Sequence, residues 1–244
     1  MSRPRSPNVL ARLQGAALRV FARQGLKHTR MSDIAKEMGV AQGSLYNYVE
    51  SKDALFFWLV DRGLDPGETQ DPGAFPVPAP KPEALLRRVR EQIGQAFALP
   101  HLDAALKRPR AKDVGAELAG IIKEMYARTL ATRLQAAALE RSALDVPELF
   151  TLFFIHVRRG LLTRLSQYID RRIRTGQFAQ IPDPSVAARF VLETITFFGR
   201  HRFSDPDLPS GDEEMVKRTM AQLIVRSLIG PAPRARRPFV KRSR

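Results

Sequence analysis

Gly39 stands between two short apolar stripes, and that arrangement narrows the folds open to the chain more than any other feature. Ile34, Ala35 and Met38 recur three or four residues apart, so a helix over Met31–Met38 turns one apolar face inward. A glycine directly after it permits the left-handed backbone that a sharp turn between helices needs. Val40, Leu45 and Val49 supply a second apolar face, spaced for a second short helix packed across the first. This is the layout of a helix-turn-helix, whose second helix enters the DNA major groove. With Leu45 and Val49 inward, Gln42, Gly43, Tyr46 and Asn47 fall on the open side. Gln and Asn amides can pair bidentately with an adenine edge, while Tyr hydroxyls and a Lys ammonium suit phosphates. Gly43 and Ser44 are small enough to let the backbone approach a duplex. The pattern alone has a second reading, because two amphipathic helices around a glycine also occur in many all-helical proteins.

The neighbouring residues narrow the choice. Asp33-Ile34-Ala35, Gly39-Val40, Gly43-Ser44-Leu45-Tyr46-Asn47-Tyr48 and Ser51-Lys52-Asp53-Ala54-Leu55 resemble, at fixed spacing, the DNA-binding domain of the TetR family of bacterial transcriptional regulators, over about residues 10–63. The resemblance implies that Gln42, Gly43 and Asn47 face bases, that Ser44, Tyr46 and Tyr48 face bases or phosphates, and that Lys52 meets a phosphate. Two positions depart from the pattern. Arg30 stands where such proteins usually place a Thr or Ser helix cap, and Ala41 where a Ser often caps the recognition helix. Losing a capping hydroxyl costs about 1 kcal/mol. A grip on phosphate would offset that loss at Arg30, which joins the candidate DNA contacts on this conjecture.

The 244 residues allow a small domain and a larger one, with ample apolar content for a core. Net charge is +15, and its placement is informative. Residues 1–63 carry ten Lys and Arg against five Asp and Glu, and residues 231–244 carry six against none. Concentrated positive charge attracts polyanions, although a basic terminus is equally well read as solvated tail. Cys is absent, which excludes disulfides, thiol nucleophiles and Cys-ligated metal. No apolar run reaches eighteen residues and no signal-peptide core is evident, so the expected location is the cytoplasm.

Along the chain, residues 1–8 read as a flexible basic arm and residues 9–63 as the helix-turn-helix domain. Leu10, Leu13, Ala17, Val20 and Phe21 predict its first helix, ended at Gly25. Residues 64–82 contain six prolines and two glycines, so no regular element is expected in this linker. From residue 83 to 230 only helices are expected. One covers Leu85–Phe97, a long one runs from Asp113 to about Arg141, another from Pro147 to about Thr175, and a very apolar one from Pro184 to about Phe203. Residues 231–244 form a basic tail expected to be disordered. The fold class is therefore all-α, a three-helix DNA-binding domain followed by a larger helical ligand-binding and dimerisation domain.

The family resemblance also implies a homodimer through the last long helices, with Leu161, Leu165, Tyr168, Val186 and Phe190 as candidate interface residues. It implies a small-molecule effector as well, for which Tyr126, Phe153, Phe154, His156, Glu193, Thr194 and Phe197 are candidates. Glu193 is costly to bury unpaired among its apolar neighbours, so an Arg, the dimer seam or a ligand should face it. No cofactor or metal is expected: His28, His101, His156 and His201 are far apart, and no phosphate loop or nucleophile elbow is present. The reading is thus a non-enzymatic regulator of transcription, a repressor released from a palindromic operator by an effector. A nonspecific basic DNA-binding protein and a helical partner-binding module remain the alternatives.

Overall fold

The computed structural model describes residues 7–62, 74–79, 99–207 and 212–230. The basic arm up to residue 6, most of the linker, the helix expected over Leu85–Phe97 and the basic tail lie outside the described residues. Among the described ones the chain is helical, apart from a single parallel bridge between Val49 and Val77.

Four helices form the N-terminal head: α1 (Pro7–His28), α2 (Met31–Met38), α3 (Gln42–Leu45) and α4 (Lys52–Arg62). The apolar stripe of α1 is buried as its spacing predicts, and Phe21 meets Phe56 of α4 edge to face at 5.0 Å. Gly39 takes the left-handed conformation, φ 73° and ψ 38°, so α3 crosses α2 without side-chain strain. Neither departing cap residue caps with its side chain alone: Asp33 accepts from the Arg30 backbone N–H at 2.9 Å, and Ala41 offers nothing.

The body comprises α5 (Pro100–Lys107), α6 (Val114–Ala131), α7 (Arg133–Ala143), α8 (Pro147–Phe150), a π-helical stretch Thr151–Arg158, α9 (Arg159–Arg174), α10 (Pro184–Gly199) and α11 (Glu213–Ile229). The long helix expected from Asp113 to Arg141 is broken at Thr132, whose φ is −101° and ψ 15°. The Thr132 hydroxyl donates to the Arg128 carbonyl at 2.9 Å, as Thr129 does to Met125. Consecutive back-bonding threonines on carbonyls one turn earlier bend a helix. Because of the break, α7 swings away from α6 and lies along α1.

Two apolar cores result. One holds α5, α6, α9, α10 and α11 together. The other begins in the head and continues without a gap into the body through Ala138, Leu139, Ala143, Leu152 and Phe153. Two of the residues expected at a dimer seam belong to the first of these cores: Leu165 and Tyr168 are buried within the protomer, Tyr168 against Phe178 and the guanidinium of Arg172. Leu161 is half-buried. The period of α9 shows that these three share a face, but that face is covered by α5, α6 and α10. Val186 and Phe190, by contrast, stand 64% and 50% exposed on α10.

Arg172 itself is fully buried. Its guanidinium pairs with Glu117 at 2.9 Å and donates to the carbonyls of Ala105, Arg108 and Pro109, so every edge of the fork is used. It pins the end of α5 to α9.

Candidate nucleic-acid interface and the cavity behind it

On the head, Arg30, Gln42, Gly43, Ser44, Tyr46 and Asn47 are exposed, while Leu45 and Val49 are fully buried beneath them. The inward stripe therefore holds α3 against the core and leaves its amide and hydroxyl edges outward. Gln42 and Tyr46 are one turn apart and 3.5 Å from each other. Such a face can pair with base edges in a major groove and with the phosphates beside it.

Lys52 and Tyr48 are placed differently from the rest. The Lys52 ammonium donates to the carbonyls of Leu26, Lys27 and Thr29 at 2.9, 3.1 and 3.0 Å. All three of its donors thus close the C-terminal end of α1, and the side chain ties α4 to α1 rather than projecting outward. Tyr48 is half-buried, with its ring edge to face on Phe75 at 6.0 Å. Phe75 comes from the linker, where no regular element was expected. Residues 74–79 instead lie along the end of the reading segment: the Val77 N–H donates to the Tyr48 carbonyl at 2.8 Å, the Glu50 N–H to the Val77 carbonyl at 3.0 Å, and Val77 is buried in the head's core. Prolines prevent a strand from continuing there but leave the N–H of Val77 and Ala79 to bond, and Ala79 donates to the Glu50 carboxylate at 2.9 Å.

The head meets the body along α1 and α7. The Leu26 N–H donates to the Ser142 hydroxyl at 2.9 Å, which in turn donates to the Ala138 carbonyl. Gly25 has φ 75° and ψ 170°, and a Cβ there would stand 3.3 Å from the Arg141 carbonyl oxygen. Only glycine fits both demands. His28 reaches Asp145 at 3.3 Å just beyond α7.

The same helix α7 floors a cavity of about 100 Å³. Ala136 and Leu139 of α7, Met125 of α6, Phe153 and Val157 of the π-helical stretch and Leu192 of α10 give it apolar walls. Three arginines from different elements line it as well: Arg128, Arg158 and Arg200. Arg158 pairs with Glu193, which also accepts from Arg189, and Arg200 pairs with Glu140 at 2.7 Å. Burial disfavours the charged form of Arg200 and, together with Arg200 itself, that of His201 beside it.

Of the expected effector residues, only Phe153 lines this cavity. Tyr126 is buried on another side of α6, where it donates to Glu213; burial first and that carboxylate second push its phenol far above the usual range. His156 is exposed, Thr194 turns back to the Phe190 carbonyl at 2.7 Å, Phe197 is 37% exposed, and Phe154 packs between Phe150 and Phe153. Glu193 does face an arginine, Arg158. Aromatic residues on apolar helices marked the core rather than the cavity, whereas Leu161, placed at the dimer seam by the sequence reading, lines it. The arginines were missed because nothing along the chain connects them; an arginine at the end of an apolar run, as at Val157-Arg158 and Phe198-Gly199-Arg200, was the available signal.

Among the described residues no group of three His, Asp or Glu side chains is placed to hold a metal ion, and no helix is long and apolar enough to cross a membrane.

Residues 15–58 match the family described as bacterial regulatory proteins, tetR family. An uncharacterized HTH-type transcriptional regulator, YfiR of Bacillus subtilis, is 37% identical over 57 residues, and the match spans 23% of this chain and 28% of that relative. The ketosteroid transcriptional regulator KstR2 of Mycobacterium tuberculosis shares the fold with a TM-score of 0.56 at 18% identity, over 91% of this chain and 95% of that one. AibR, solved in complex with isovaleryl coenzyme A and operator DNA, does so with a TM-score of 0.52 at 15% identity, over 91% and 99%. Residues 15–58 are thus similar to the DNA-binding segment of tetR-family regulators, and the chain as a whole shares its fold with these solved regulators.

Proposed function

We propose that the protein is a cytoplasmic, homodimeric, sequence-specific DNA-binding regulator of transcription, a repressor that leaves a palindromic operator when a small molecule fills the cavity. The observation that carries this reading is the double role of α7. It floors the cavity through Ala136 and Leu139, and less than one turn further on it holds α1 of the head through the bond from the Leu26 N–H to Ser142. An occupant that favours one position of α7 therefore favours one position of the head, and it acts only through its differential affinity for the two. Val186 and Phe190, the exposed apolar pair on α10, supply the seam between protomers, and a two-fold dimer reads a two-fold site.

Selection of binders from a random duplex pool, at a salt concentration that suppresses nonspecific contacts, tests the reading. An inverted repeat should be enriched. A preparation that is folded and dimeric yet enriches nothing sinks it. On the enriched site, Asn47→Ala should cost about 1–3 kcal/mol and relax discrimination at one position of each half-site. Equal losses on all sequences would remove Asn47 from the base readers.

A further inference from the structure

Taking the cavity to be the effector site, we propose that its occupant is a short-chain carboxylate whose head group bonds to Arg200 and displaces Glu140 from it. Three arginines line the cavity, two of them paired with glutamates that are not lining residues, and apolar side chains make up most of the remaining wall. That combination fits an anion with an apolar tail rather than a neutral hydrocarbon or a sugar.

Arg200 is the focus. Its side chain is only 9% exposed, and its Nε is buried without a hydrogen-bond partner. Nη2, on the same edge of the fork, is held by Glu140. Nε and Nη2 form the pair of parallel donors that a carboxylate accepts bidentately. A carboxylate entering the cavity satisfies the orphaned Nε and competes with Glu140 for Nη2. Volume limits the tail: an apolar cavity of about 150 Å³ admits benzene, and this one is about 100 Å³. The fit is a chain of about four carbons.

Regulation follows from where Glu140 sits. It directly follows Leu139, a cavity residue of α7, and lies two residues before Ser142, which holds α1. Its bond to Arg200 ties α7 to the end of α10. Exchanging Glu140 for the ligand's carboxylate unties them.

The experiment is isothermal titration of the full-length, DNA-free protein with butyrate, 1-butanol and decanoate. Butyrate should bind once per protomer, at least tenfold more tightly than either of the others. Arg200→Gln should weaken it at least tenfold. Glu140→Gln removes the competing carboxylate and should tighten it severalfold, a gain that a misfolded variant cannot mimic. Equal affinity for butyrate and butanol, no heat with butyrate, or weaker binding to Glu140→Gln each overturns the proposal. An operator-release assay run in parallel separates the two readings. Butyrate that binds as described yet leaves the operator complex intact removes effector control and keeps the ligand class. Release by another molecule that displaces no butyrate removes the ligand class and keeps effector control.

Discussion

The reading head and the helical body treat their polar side chains in opposite ways. On the head, Arg30, Gln42, Ser44, Tyr46 and Asn47 come from one short stretch of chain and all lie exposed. In the body, Arg172 is fully buried and the Arg200 side chain is only 9% exposed, and the groups around them are drawn from separate elements. A surface meant for an outside partner keeps its donors and acceptors in water until that partner arrives. An interior charge needs its partners inside the protein, because an uncompensated buried charge is costly. The same residue type therefore carries different consequences in the two regions, and substitutions can measure the difference.

Arg172→Ala should have the largest effect, a loss of about 3–5 kcal/mol in denaturant unfolding, since it strands Glu117 and three carbonyls. A loss below about 1 kcal/mol would place the body's buried charge on the same footing as the head's exposed ones. Gly25→Ala tests where the two regions join. Strain at φ 75° and the approach to Arg141 should cost about 1–3 kcal/mol, and the variant's head should show faster amide exchange than its body. Lys52 is the head residue that behaves like the body. Lys52→Met should lower stability by about 1–3 kcal/mol while leaving the slope of log affinity against log salt unchanged. A slope smaller by about one would restore it as a phosphate contact.

The smallest effect concerns Glu37. Hydrogen bonds from Arg19 and then Arg23 hold its carboxyl below the usual range. A carboxyl whose folded value is depressed adds stability above its unfolded value, about 4.3, and loses it as pH falls through the folded value. Glu37→Gln should therefore cost up to about 1 kcal/mol at pH 7 and nothing once pH has fallen below that range. A difference that persists undiminished in acid would assign the cost to packing.

The head was legible in the sequence because its elements are short, adjacent and set by local rules: a stripe at helical spacing, a glycine at the turn, a serine before α4. The body was legible only as a set of helices. Thr132 reads like any residue of a long helix until its hydroxyl is seen on the Arg128 carbonyl. Val77 sits among prolines that hide its place in the head's core. The lining arginines share a cavity through the packing of three elements, which no period along the chain encodes. Leu165 and Tyr168 show the same limit, since a face can be recognised from spacing but not what covers it.

The break at Thr132 also fixes the stiffness of the connection between the cavity and the head. It leaves α7 with 11 residues, about 16 Å of helix. Helices curve with radii of about 60–100 Å, so over that length one departs from straight by only about 0.3–0.6 Å. A rod that short stores almost no elastic energy in bending. A displacement imposed at Leu139 therefore reaches Ser142 essentially undiminished, with no relay of intervening side chains, whereas an unbroken helix from Val114 would have been anchored along most of its length in the other core and held still.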